Sequence, residues 1–194
     1  MNRITQVGRF EQTIRNSRFI GVCGPAEDEA AARAFIEEHG APGCRHVCFA
    51  WRIGELVRFD DAGEPGGTAG RPMLAALDHW ELDRSVVVVS RFFGGVKLGT
   101  GGLARAYGGT AMETIADSGI EPIIETLMLE CRVPFDSAGD LHQLAERTGA
   151  SKHAEHWDEN GLRLVVEIDR DACDGFVEEL TALTRGAGAV KRAD

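Results

Sequence analysis

Apolar and polar positions recur along this chain with two different periods, and the switches between them mark out its elements. From Phe10 to Ile14 and from Ser17 to Cys23 the period is two, which predicts a pair of strands turning at Asn16. Pro25 to Glu38 is rich in Ala and Glu, with apolar positions at Ala31, Phe35 and Ile36 and a stop at Gly40, so a helix is expected there. His46 to Ile53 and Leu56 to Phe59 predict a hairpin across Gly54, and a helix is expected within Thr68 to Trp80. Ser85 to Phe93 holds four consecutive valines, the pattern of a strand covered on both faces. Leu103 to Ile115 then returns to a helical period that ends at Gly119, and Pro122 blocks its continuation.

Beyond that break the pattern reads β-α-β-β-α-β. Thr126 to Val133 alternates as a strand, and Pro134 and Asp136 open a helix through Leu141, Leu144 and Ala145 that Gly149 stops. Lys152 to Trp157 and Leu162 to Ile168 are strands joined by Asp158-Glu159-Asn160-Gly161, whose Asn-Gly pair favours a tight hairpin. Asp171 begins a helix with Phe176, Val177, Leu180 and Leu183 on one side, and Ala187 to Val190 supplies a last short strand. The fold class expected is α+β with two domains, residues 1–122 and residues 123–194, the second ferredoxin-like.

Charge sharpens this division. The chain of 194 residues carries a net charge of -10. Residues 1–122 hold 13 basic and 16 acidic side chains, a net of -3, while residues 123–194 hold 8 and 15, a net of -7. Nonspecific coating of nucleic acid is therefore excluded, because that affinity is built on phosphate neutralisation, and any nucleic-acid site must be local. Five cysteines, none in a CxxC pair, predict reduced thiols and no zinc ribbon. No apolar run approaches the roughly 20 residues that span a bilayer, and charges at the N-terminus stand where a signal peptide needs apolar residues, so a cytoplasmic protein is expected.

The local exception to the acidity is Arg91 to Gly109, which contains seven glycines, two arginines and a lysine; no acid occurs from Ser85 to Met112. Gly94, Gly95, Gly99, Gly101 and Gly102 allow backbone N–H groups to approach an anion, and a helix starting near Thr100 would turn its positive end the same way. Arg91, Lys97 and Arg105 would supply full charges to phosphates, with Tyr107 close by. The alternative is a strand-to-helix corner that uses its glycines for packing. A dinucleotide-binding fingerprint is disfavoured, because the first glycine of Gly99-x-Gly101-x-x-Ala104 lies well past the valine strand; a P-loop is excluded by the lack of Gly-Lys-Ser/Thr.

Two further clusters qualify. Asp60, Asp61 and Glu64 surround a Gly/Pro-rich turn that either holds a hard cation, acts as an acid/base pair, or caps the next helix through Thr68, with Arg71 pairing to a carboxylate of the same loop. Cys44, His46 and Cys48 share one face of a strand. Residues four apart on a strand are about 13 Å apart, too far for both cysteines to ligate one zinc at roughly 2.3 Å each. A nucleophilic His46–Cys48 pair competes with simple packing of that face, and His46 is the best candidate for a polar group in a pocket.

Taken together, Ser17-Arg18-Phe19-Ile20, His46-x-Cys48-x-Ala50, Asp61-x-Gly63-Glu64-Pro65-x-Gly67-Thr68-Ala69-Gly70-x-Pro72 and Val88-Val89-x-Arg91-Phe92-Phe93-Gly94-Gly95 with Leu98-Gly99-x-Gly101-Gly102-Leu103-x-x-Ala106-Tyr107 closely resemble the IMPACT/YigZ family over about residues 10–120. The resemblance implies a first domain with the fold of the second domain of ribosomal protein S-five, shared with domain four of elongation factor G. Bacterial relatives add a ferredoxin-like domain similar to domain five of that factor. Eukaryotic members restrain the amino-acid-starvation response by competing for the activator of a translation-initiation-factor kinase, through a region that includes an N-terminal domain this chain lacks; for bacterial members an RNA role has been suggested.

The expected function is accordingly non-enzymatic, translation-linked regulation or RNA binding. The binding residues would be those of the Gly-rich segment together with Glu64, Thr68, Arg71 and His46. No cofactor or metal is expected. RNA or a ribosome-associated factor is the expected partner, with a protein partner or second copy at the acidic C-terminal domain. The competing expectation is an enzyme acting on a small phosphorylated or nucleotide ligand between the Gly-Glu-Pro loop and the Gly-rich segment.

Overall fold

The computed structural model describes residues 1–193; Asp194, the last residue of the expected second domain, lies outside the described residues. The chain divides into two compact units at Ile123 and Ile124.

The first unit is built on five antiparallel strands: β2 (Gly8–Ile14), β3 (Ser17–Pro25), β4 (His46–Ile53), β5 (Leu56–Asp60) and β6 (Ser85–Phe92). Their spatial order is β2-β3-β6-β4-β5, which puts the valine strand in the middle. Its side chains alternate between two cores. Val87 and Val89 meet α2 (Gly70–His79) and α3 (Thr100–Ala116) through Met73, Leu77, Leu103 and Ala111. Val86 and Val88 pack with Ala32, Trp51, Phe35 and Ile36 on the side of α1 (Glu29–His39). Burial on both faces is what an uninterrupted apolar run permits and an alternating one would not.

Three expectations change here. Helix α1 starts at Glu29, not at Pro25, because the Asp28 carboxylate accepts from the Ala31 N–H at 2.7 Å and pins the first turn, leaving Pro25 at the end of β3. Thr68 is not the cap of α2; its hydroxyl donates to the Pro65 carbonyl at 2.6 Å. The supposed break is partly structured: β7 (Gly119–Pro122) pairs antiparallel with a strand not foreseen, β1 (Asn2–Gln6). Both are short, and Pro122 cannot donate to a ladder, so neither shows a readable period.

The second unit has the chain order expected of it. Strands β8 (Thr126–Val133), β9 (Ser151–Asp158), β10 (Gly161–Asp169) and β11 (Ala189–Arg192) form an antiparallel sheet ordered β11-β8-β10-β9. Helices α4 (Ala138–Arg147) and α5 (Cys173–Leu183) cover one side through Leu141, Leu144, Phe176 and Leu180. The last strand lies two residues later than the alternation placed it.

Candidate functional site

The motifs of the first unit converge at the end of β6. Arg91 leaves this strand on the α2/α3 face, and the loop after β5 brings Glu64 to it. The Arg91 Nη1 donates to both Glu64 carboxylate oxygens at 2.8 and 3.1 Å, and the Tyr107 hydroxyl of α3 donates to Glu64 Oε1 at 2.9 Å. Both side chains of the ion pair are nearly sealed, 6% and 5% exposed. The guanidinium also donates from Nη2 to Ser17 Oγ at 3.3 Å and lies 5.6 and 5.4 Å from the rings of Phe19 and Phe93. Burial raises the Tyr107 pKa, so the phenol is a donor throughout the physiological range. The expected phosphate ligand Arg91 is thus corrected to an internal brace: its charge is spent on Glu64.

The loop itself is organised by Asp61. Its Oδ1 accepts from the Ala69 and Gly70 N–H groups, each at 2.8 Å, and its Oδ2 from Gly67 N–H at 2.7 Å. This carboxylate, eight residues upstream, performs the capping expected of Thr68, since it satisfies donors at the start of α2. Burial alone would raise its pKa, but the three N–H donors outweigh that and hold it below the ordinary carboxylate value. A depressed folded-state pKa means stabilisation that is complete above the unfolded value of about 3.9 and is lost as pH falls through the lower folded value. Asp61→Asn keeps one acceptor oxygen but sets an NH2 group against the remaining N–H donor and removes the charge, so it is expected to cost about 1–2 kcal/mol at pH 7. Urea unfolding at pH 7 and pH 3 should show the variant losing less stability in acid than the wild type; equal acid sensitivity would refute the assignment.

His46 and Cys48 serve the same loop. The His46 Nδ1 stands 2.8 Å from the Ala62 carbonyl, and because a carbonyl only accepts, Nδ1 carries the proton. The Cys48 thiol donates to the Asp61 carbonyl at 3.1 Å, and burial pushes its pKa up to about 12. It is protonated at neutral pH, which rules against the nucleophilic pair. Cys44 lies outside β4 and donates to the Arg91 carbonyl at 3.0 Å. Among the described residues no group of three or more His, Cys, Asp or Glu side chains could hold a metal ion. Arg71 is exposed, and no ion pair joins it to the loop carboxylates within 4.0 Å.

The glycines divide by role. At Gly94 a Cβ would meet the backbone of Asn16 at 2.0 Å, so this position serves the packing of the β2–β3 turn against the end of β6. Gly95 and Gly99 have positive φ with open space around them, while Gly101 and Gly102 lie in the first turn of α3. Lys97 and Arg105 are exposed and form no ion pair among the described residues.

Beside this segment a cavity of about 390 Å³ runs between β2 and α3. It is lined by Arg105, Gly102 and Gly109, and by three residues that sequence reasoning missed: Gln12, Arg15 and Glu113. A usable signal existed in the spacing of Gly102, Arg105, Gly109 and Glu113, which falls on one helical face. Arg15 had none, since its position depends on a hairpin tip where it and Asn16 have φ of 45° and 67°.

The model of the Impact N-terminal domain matches residues 15–115. The chain is 41% identical to the IMPACT family member in the pol 5′ region of Thermus thermophilus over 174 residues, covering 89% of this chain and 96% of that one. It is 32% identical to the IMPACT family member YvyE of Bacillus subtilis, covering 98% and 90%, and 45% identical to YigZ of Escherichia coli over 105 residues, about half of each chain (50% and 52%). A crystal structure of a hypothetical protein, 27% identical, aligns with a TM-score of 0.62 across 100% of this chain and 97% of that chain. No helix among the described residues is long and apolar enough to cross a membrane.

Proposed function

The chain belongs to the IMPACT family, and on that footing we propose that it is a non-enzymatic, translation-linked regulatory protein that binds RNA through the Gly-rich basic segment. The observation that carries this reading is the segregation of cations in that segment. Arg91 is neutralised inside, whereas Lys97 and Arg105 are exposed without carboxylate partners, and the same segment carries an exposed Phe93, whose ring lies 5.4 Å from the Arg91 guanidinium. Free cations and an exposed aromatic ring in one segment suit a single strand, whose phosphates need charge and whose bases stack. A fully formed Glu64–Arg91–Tyr107 network argues against hydrolytic chemistry here, because its groups are consumed by each other.

The two units are read as the S-five-domain-two-like and ferredoxin-like folds. For the second, the support is its β-α-β-β-α-β order with the first strand between the fourth and the third. Its acidity, net -7 over residues 123–194, disfavours RNA there and fits a protein partner or a second copy.

The test is salt-dependent binding of a labelled single-stranded RNA to the full chain. Each phosphate contact contributes about 0.7 to the log–log salt slope, so the Lys97→Ala/Arg105→Ala double variant is expected to lower the slope by roughly 1.4 and weaken binding to all sequences alike. Binding that ignores salt, or none, refutes the reading.

A further inference from the structure

The cavity between β2 and α3 has chemically distinct ends. From the wild-type geometry we infer that it seats one nucleotide of the bound strand and prefers guanine; this rests on the RNA-binding reading above. Along α3, Arg105 and Glu113 are eight residues apart, which separates the cationic and carboxylate ends by roughly 12 Å of helix rise. Arg15, at the tip of the β2–β3 hairpin, joins Arg105 at the cationic end, and neither forms an ion pair among the described residues. Ile14, Leu98 and Ala106, all packed on the core of the first unit, provide an apolar lining. Gly109 contributes no side chain, and a Cβ there would meet nothing within 4 Å.

The other end accepts hydrogen bonds. The Glu113 side chain is exposed, and its carboxylate has no hydrogen-bond or ion-pair partner among the described residues. Gln12 presents an acceptor as well, for a reason set by its neighbours. The Thr110 hydroxyl donates to the Ala106 carbonyl at 2.7 Å, so its oxygen accepts from Gln12 Nε2 at 2.8 Å. The amide nitrogen is thereby oriented toward Thr110, and the carboxamide oxygen is left free.

The ligand that matches is an anion at one end, a flat apolar body in the middle and adjacent N–H donors at the far edge. A nucleotide has this layout, and a volume of about 390 Å³ falls within the range of small-ligand sites. Among the four bases only guanine carries two neighbouring N–H donors, N1–H and the exocyclic amine, on its Watson–Crick edge. Adenine and cytosine set an acceptor beside their amine, and uracil flanks its single N–H with two carbonyls. A carboxylate therefore pairs with two donors of guanine and meets a repelling lone pair on the others.

The experiment uses the full chain and uridine decamers carrying one central guanosine, adenosine or cytidine, or none, read by fluorescence anisotropy. The guanosine strand is expected to bind on the order of tenfold more tightly than the others, the discrimination a bidentate base contact gives. Glu113→Gln should bring its affinity down to that of the adenosine strand. Gly109→Leu should do the same by filling the middle of the cavity, at a helical position where an added Cβ meets nothing within 4 Å. Equal affinity of the wild type for all four strands overturns the guanine inference and leaves RNA binding standing. A guanosine preference that survives both variants also overturns it, because the base then sits elsewhere. Absence of salt-sensitive binding to any strand overturns the RNA-binding reading, and this inference with it.

Discussion

Glu64→Ala is expected to destabilise the first unit by about 3–5 kcal/mol, the cost of leaving a buried charge without its counter-ion. The variant strands the Arg91 guanidinium at a site where its Nε already has no partner, and it removes the acceptor of the Tyr107 hydroxyl. Water cannot readily compensate, since both side chains of the pair are nearly sealed. Glu64→Gln should cost less, because the amide oxygen still accepts from Tyr107. Replacing both partners, Glu64→Leu with Arg91→Met, should recover much of the loss, as apolar pairs of similar volume often replace buried ion pairs without penalty. Urea unfolding measures the sum, and amide exchange over residues 60–70 localises it to the loop. A loss below roughly 1 kcal/mol for Glu64→Ala would place the pair in the class of exposed ion pairs and refute the brace.

The second large effect is at Gly94. A Cβ there would stand 2.0 Å from the carbonyl carbon and oxygen of Asn16 and 2.5 Å from the Ser17 nitrogen, all backbone atoms that no rotamer change can move aside. Gly94→Ala is therefore expected to cost on the order of 3 kcal/mol, combining overpacking with the weakening of the 3.2 Å hydrogen bond from Gly94 N–H to Ser17 Oγ. Two alanine substitutions nearby serve as controls. Gly95 has open space but a φ of +85°, so alanine costs about 1–2 kcal/mol there. Gly109 has open space within a helix, where alanine gains up to roughly 1 kcal/mol. The order Gly94, Gly95, Gly109 in melting-temperature loss separates packing, backbone strain and freedom; equal losses would show that the contact at Asn16 relaxes.

The corrections share one physical cause. The motif around Glu64, Pro65, Gly67 and Thr68 reads in sequence as a turn beside a helix, and so does the structure. Yet the cap comes from Asp61, because a loop with glycines at 63, 66 and 67 can fold its own start against the helix N-terminus. Likewise Arg91 and Glu64 are separated by 27 positions, and no local period relates them. Residues on one helix face are recoverable from spacing, as Gly102, Arg105, Gly109 and Glu113 are. The opposite wall of the cavity, Gln12 and Arg15, is 98 residues from its contact at Thr110 in the case of Gln12 and belongs to another element altogether.

The sequence by itself determined the mixed α/β class, the burial of the Ser85–Phe93 strand on both faces, the helical second half of the Gly-rich segment and the family, because these rest on local periodicity and ordered motifs. Only the tertiary structure decided which cations face solvent. A charge is exposed or spent according to what the fold sets opposite it. Here the β5–α2 loop sets Glu64 opposite Arg91 and leaves Lys97 and Arg105 without a partner.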